Sequence, residues 1–304
     1  MQPHIIPLEE PYILYNDRKM LNFCSSDALC LSHHSELKKN AMKYILQYGV
    51  GELSSLYPEG YLDCQRHLEE KLAALLGTET CLLFATKADA LHLLTASCPS
   101  YLFVESLSKT GAFSSLDISK HPHTILCVDD SYALGTLGIQ GMGLAAHHTG
   151  VDCILGTFAG GCGSSGGYLA CSDAMKKTLM QSSVWTPSMP SPAVLGAIDA
   201  ALDLVPQMEG ERRRLEQRSH YLRHQLQEIG FSLGSSGAHR IPIHLKTEEE
   251  AEELRLVLFA AEILALRYGS TLVVALNILH TPDHLGELAE TLMTAHFALE
   301  NIRF

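Results

Sequence analysis

Two stretches carry residue types suited to chemistry. In Ile125-Leu126-Cys127-Val128-Asp129-Asp130 an apolar run leads straight into two acids. In open α/β sheets ligands bind beyond the carboxyl ends of the strands. A carboxylate there can hold a metal, a ribose or a protonated ring nitrogen, or it can simply cap the next helix. The second stretch, GTFAGGCGSSGG (156–167), has glycines that let a backbone approach an anion closely, and a hydroxyl at Thr157. It is not a Walker A loop, because no Gly-Lys-Ser/Thr follows, and it does not open a helix after the first strand as G-x-G-x-x-G does. Gly163-Ser164-Ser165-Gly166 lacks the spacing of a serine-hydrolase elbow. The sixteen histidines include the pairs His33-His34 and His147-His148 and the spaced pair His121 and His123. None falls into an H-E-x-x-H or Cys/His pattern, so no metal site is expected.

The elements that position these stretches follow from apolar periodicity. Residues 36–48 read as an amphipathic helix stopped by Gly49, and 62–76 as a second with Leu68, Leu72, Leu75 and Leu76 on one face and Gly77 at its end. Apolar runs at 81–84, 101–104, 124–128, 152–155 and 167–171 read as strands, with a helix at 86–97 between the first two. Continuous apolar strands separated by helices predict a mostly parallel sheet covered on both faces. Composition shifts near Val205-Pro206. Beyond it come a charged helix at 208–229, strands at 241–245, 262–267 and 271–277, and helices at 248–260 and 282–299. The expected organisation is an N-terminal segment 1–48, a large α/β domain 49–205 and a small α+β domain 206–304.

Composition narrows the partners. The chain has 304 residues, with 22 Lys+Arg against 34 Asp+Glu and a net charge of −12. That balance argues against nucleic acid or an anionic membrane as partner. No apolar stretch is long enough to span a membrane, and MQPHIIPLEEPY lacks the basic and apolar regions of a secretory signal. Nine cysteines, none in a C-x-x-C pair, read as buried free thiols of a cytoplasmic protein.

Taken together, the segments resemble the α-oxoamine synthases, pyridoxal-phosphate enzymes of the fold-type-I aminotransferase class I/II superfamily that include 8-amino-7-oxononanoate synthase of biotin synthesis. LNFCSSDALCLSHH (21–34), GYLDCQRHLEEKLAALLGTE (60–79), VDDSYALGTLGIQGMG (128–143), GTFAGGCGSSGGYLACS (156–172) and WTPSMPSPA (185–193) are similar to family motifs, in the family order. The resemblance implies a decarboxylative condensation of an amino acid with an acyl thioester, in which the cofactor stabilises a carbanion. It also implies that Asp129 faces the ring nitrogen, that Thr157 contacts the phosphate, that Thr86 is a further cofactor-binding residue, and that Thr186 is the counterpart of a hydroxyl contributed by the neighbouring subunit. Tyr132 stands where the family has a histidine at the ring hydroxyl.

The family's Schiff-base lysine falls on Gly160, so no catalytic residue is assigned. A family glycine and asparagine become Lys87 and Leu91, and the C-terminal arginine position falls near Thr271. The segment with the ring-stacking histidine is bridged by Ala96-Ser97-Cys98-Pro99-Ser100, and the family's GSGGSR loop reads GELSSL (51–56). Without an ε-amine there is no imine to the cofactor. The resemblance therefore implies a degenerate relative, a homodimer or a heterodimer with a lysine-bearing paralogue, as in eukaryotic serine palmitoyltransferase. The alternative is a working acyltransferase with a relocated lysine, Lys87. Lys176 and Lys177 are expected to be solvated.

Overall fold

The computed structural model describes residues 4–8, 11–51, 62–98, 100–107, 124–185, 189–234 and 239–302. The elements run β1 (Ile5–Pro7), β2 (Tyr12–Tyr15), β3 (Arg18–Asn22), α1 (Ser35–Tyr48), α2 (Asp63–Leu76), β4 (Thr80–Phe84), α3 (Lys87–Ser97), β5 (Tyr101–Glu105), β6 (Ile125–Asp129), β7 (Cys153–Thr157) and β8 (Gly167–Cys171). They continue α4 (Asp173–Met180), α5 (Pro192–Leu204), α6 (Glu209–Ile229), β9 (Ser232–Leu233), β10 (Arg240–His244), α7 (Glu248–Ala260), β11 (Ile263–Leu264), β12 (Leu266–Tyr268), β13 (Thr271–Ala275) and α8 (Pro282–Ile302).

Two units divide the chain: Leu31–Glu209, and Met1–Cys30 together with Gly210–Phe304. The expected segment 1–48 is thus split. Its first part belongs with the C-terminal block because β3 pairs in parallel with β11, Leu21 opposite Ile263 and Asn22 opposite Leu264. Its second part is α1, which packs on α5 in the large unit: Asn40 donates to the Gly196 carbonyl at 2.8 Å, and Tyr44 donates to Asp199 at 3.0 Å.

The large unit holds a five-stranded sheet in the order β4-β8-β7-β6-β5. Strands β5, β6 and β7 run parallel, and β8 is antiparallel to both β4 and β7, so four strands share one direction. This is the mostly parallel sheet expected from the apolar runs. One face carries Leu82, Phe84, Leu155 and Leu169 against Leu93, Leu94 and Leu179 of α3 and α4. Cys127, Cys153 and Cys171 lie in register across β6, β7 and β8 on that face. All nine cysteines are free thiols, and burial pushes Cys171 up to about 12, so these sulfurs pack as small apolar groups.

In the other unit α6, α7 and α8 share a core with β10 and β13. Helix α7 starts where its cap dictates: the Thr247 hydroxyl accepts from the Glu250 amide at 3.2 Å. The strand expected at 262–267 is two short ones, β11 on β3 and β12 on β13, entered through Glu262 at φ 62°. The β2–β3 hairpin turns at Asn16 and Asp17, both at positive φ.

Two histidines lie buried and neutral in this unit. Among the described residues His239 has no hydrogen-bond partner on either ring nitrogen. The His280 ring stacks on Phe23 with centroids 4.1 Å apart, and its Nδ1 accepts from the Asn277 amide at 2.9 Å. Burial, chiefly, pushes both down to about 3. As pH falls below the ordinary histidine value of about 6.5, the unfolded chain takes up these protons first, so stability is lost from there down towards pH 3. His239→Leu and His280→Leu are each expected to flatten the loss between pH 7 and 5, followed by urea unfolding, by about 2 kcal/mol. An unchanged slope in both variants would contradict these burial assignments.

Candidate active site

Strand β6 delivers two carboxylates to the mouth of the sheet, and they do different things. Asp130 is fully buried. Its Oδ2 accepts from the Ala145 amide at 3.0 Å, while its Oδ1 has no hydrogen-bond partner among the described residues. Burial nevertheless raises its carboxyl above the usual range. It fastens the 130–145 loop beneath the mouth and does not face it.

Asp129 is the acid at the mouth. Its Oδ1 accepts from the Ser131 amide at 3.0 Å and from the Ser131 hydroxyl. Its Oδ2 is 2.8 Å from the Nζ of Lys87. The Asp129 side chain is 8% exposed and that of Lys87 34%, so the ion pair is sheltered from water on the acid's side.

Lys87 begins α3, whose start is set by a capping box. The Thr86 hydroxyl accepts from the Asp89 amide at 3.2 Å, while Asp89 Oδ2 accepts from the Thr86 amide at 3.1 Å and its hydroxyl at 2.8 Å. The start of β8 presses on this turn: a Cβ on Gly167 would lie 2.6 Å from the Lys87 Cα. Lys87 therefore reaches from beside β8 past the end of β7 to β6.

The glycine-rich loop closes on itself. The Thr157 hydroxyl donates to the Gly166 carbonyl at 2.8 Å and accepts from the Ala159 amide at 3.3 Å. Gly161 and Gly135 meet backbone to backbone, where a Cβ on Gly161 would fall 2.5 Å from the Gly135 Cα. Gly163, at φ +58°, sits against the Ser32 amide. No lysine occurs anywhere from residue 121 to 175. Lys176 is not solvated as expected. It lies on the buried Glu69 at 3.4 Å with its own side chain 18% exposed.

Of the residues singled out from sequence, the structure brings Asp129, Thr157 and Thr86 to the same end of the sheet, because Phe84, Gly167 and Thr157 are register partners. Tyr132 follows directly after Ser131 with 44% of its surface exposed. Thr186, residues 52–56 of the GELSSL stretch, His121 and His123 lie outside the described residues. Among the described residues no cluster of His, Cys, Asp and Glu suits a metal ion, and no helix is long and apolar enough to cross a membrane. Sequence reasoning missed Ser131 and Asp89 as partners. The S/T-x-x-D spacing of Thr86 and Asp89 was a readable capping signal.

Comparison with known proteins places this arrangement. Residues 115–292 match the family described as aminotransferase class I and II. A protein of Desulfosudis oleivorans, provisionally named 8-amino-7-oxononanoate synthase, is 30% identical over 354 aligned positions covering 94% of this chain and 91% of its own. The chain belongs to the aminotransferase class I and II family. Within it, the chain is similar to the α-oxoamine synthases. Serine palmitoyltransferase of Sphingomonas wittichii superposes with a TM-score of 0.82 at 16% identity, over 97% of this chain and 92% of that one. For 8-amino-7-oxononanoate synthase of Francisella tularensis the values are 0.76, 18%, 94% and 99%. These two show the shared fold-type-I architecture. The 354-position alignment uses fewer than 304 residues of this chain, so the relative carries several dozen with no counterpart here.

The family uses pyridoxal phosphate, and a structure of this fold contains it. The residues here do not fit that group in the arrangement the resemblance implies. Both Asp129 oxygens are engaged by this chain, Asp89 already caps the α3 turn, and the loop after β7 offers no amine.

The glycine contact sets a structural test. Gly161→Ala is expected to cost more than about 2 kcal/mol, because the opposing atoms are backbone and cannot rotate away. Gly210→Ala, in α6 with open space around it, is expected to be neutral or stabilising by up to about 1 kcal/mol. Urea unfolding of the two variants reads the contrast, and equal stabilities would refute the close packing.

Proposed function

We propose that this chain is a degenerate α-oxoamine synthase-family protein, similar to 8-amino-7-oxononanoate synthase, that no longer carries out the decarboxylative condensation. In this reading it persists as a cytoplasmic partner subunit, a homodimer or a heterodimer with a lysine-bearing paralogue. The observation that carries the reading is the loop after β7, which packs glycine on glycine and holds no amine. A Schiff base needs a neutral amine held in near-attack geometry, and a loop closed by Gly161 and Thr157 has none to offer.

A second reading has one observation in its favour. The Lys87 amine lies in the mouth, where a relocated lysine would have to be for a working acyltransferase. Against it, the Lys87 Nζ is already engaged by the Asp129 carboxylate at 2.8 Å and is not held free in near-attack geometry for an aldehyde.

The test is the visible spectrum of the purified chain with added pyridoxal phosphate, followed by borohydride reduction and peptide mapping. The expected result is no protein-bound imine band and no labelled lysine. A band with the label on Lys87 alone would overturn the proposal and restore an enzyme. The partner role has its own check: co-purification from the native host is expected to bring down a lysine-bearing paralogue, and a genome without one would refute the heterodimer.

A further inference from the structure

Pyridoxal phosphate has two charged ends, a ring nitrogen that is cationic when protonated and a phosphate. A protein site for it needs a carboxylate for the first and free N–H or hydroxyl donors for the second. In this chain both counterparts are present and both are taken by the chain itself. Lys87 Nζ holds Asp129 Oδ2 at 2.8 Å, and Ser131 holds Oδ1. At the start of α3, Asp89 accepts from the Thr86 amide and hydroxyl, and its negative charge stands where a phosphate would have to approach. The Thr157 hydroxyl is spent on the Gly166 carbonyl.

The path of the lysine matters as much as its charge. The Lys87 backbone is clamped against Gly167 at the head of β8, and its ammonium ends on β6, with the end of β7 between them. The stem thus crosses the mouth of the sheet, where a flat heterocycle on Asp129 would lie. A bare Asp129 would be a nearly buried charge without a cation, an expensive arrangement in the absence of a ligand. Lys87 removes that expense permanently.

We propose that Lys87 is a built-in competitor for the site: its ammonium occupies Asp129 in place of a cationic heterocycle, so that the apo chain is charge-satisfied and closed to vitamin B6 phosphates. This extends the proposed loss of the original reaction from the missing amine to the binding step. It is a property of the folded chain and independent of any imine.

Pyridoxamine 5′-phosphate separates the two claims, because it carries the pyridine ring and the phosphate but no aldehyde and cannot form an imine with any lysine. It is titrated by calorimetry into the wild-type chain, Lys87→Ala, Lys87→Gly and the double variant Lys87→Ala/Asp129→Asn. The wild type is expected to show no saturable binding through the millimolar range. Lys87→Ala and Lys87→Gly are expected to bind at least ten-fold more tightly, and the double variant is expected to lose that gain. Tight binding by the wild type overturns the proposal on its own, whatever the variants do. So does a gain that survives in the double variant, since the freed carboxylate would then not be its source. Borohydride labelling with pyridoxal phosphate, by contrast, bears on the missing amine, so failure of either claim is read on a different ligand.

Discussion

A nearly buried carboxylate at the end of a central strand is costly until something positive meets it. In this fold everything at the sheet mouth is arranged around that requirement. Strand β6 places Asp129 at its end, Ser131 engages one oxygen, and the capping box that starts α3 aims Lys87 at the other. This chain meets that charge with its own side chain. The ion pair leaves the Asp129 carboxylate satisfied by the chain's own side chains.

The remaining architecture does not depend on a ligand. Leu82, Leu155 and Leu169 on the sheet pack against α3 and α4 without reference to the mouth. Asp130 fastens the following loop through the Ala145 amide, and the Gly135–Gly161 contact holds two loops at a separation no side chain permits. Such contacts fix the shape of the sheet mouth independently of any ligand, because they are requirements of folding. The buried thiols of β6, β7 and β8 fit the same picture: small groups fill the sheet face.

Long apolar-periodic elements were legible in the sequence. Helix α7 matches its expected bounds, and α2, α3 and β4 to β8 fall within a residue or two of theirs, since each carries a strong apolar repeat, a cap or a glycine stop. The β1–β3 meander was not legible: β1 is exposed and β2 half-buried without alternation, and Pro7 and Pro11 interrupt the pattern. Helix α5 was missed because an almost wholly apolar segment shows little helical contrast; Asp199, its anchor, finds Lys71, Tyr44 and Asn40 only in three dimensions. At the site, Asp129 could be read from an apolar run ending in acids. Its partner could not, because Lys87 lies 42 residues away and meets it only once β8 and β7 are inserted between β4 and β6.

The most direct measurement of the central claim is a double-mutant cycle on Lys87→Met and Asp129→Asn, read by urea unfolding at low salt. Methionine keeps the apolar stem without the charge, and asparagine keeps the shape of the acid. The account predicts a coupling energy of about 1 kcal/mol or more, reduced by added salt. Additivity within about 0.3 kcal/mol would mean that Lys87 and Asp129 do not hold each other, and the account of the site would fall with that pair.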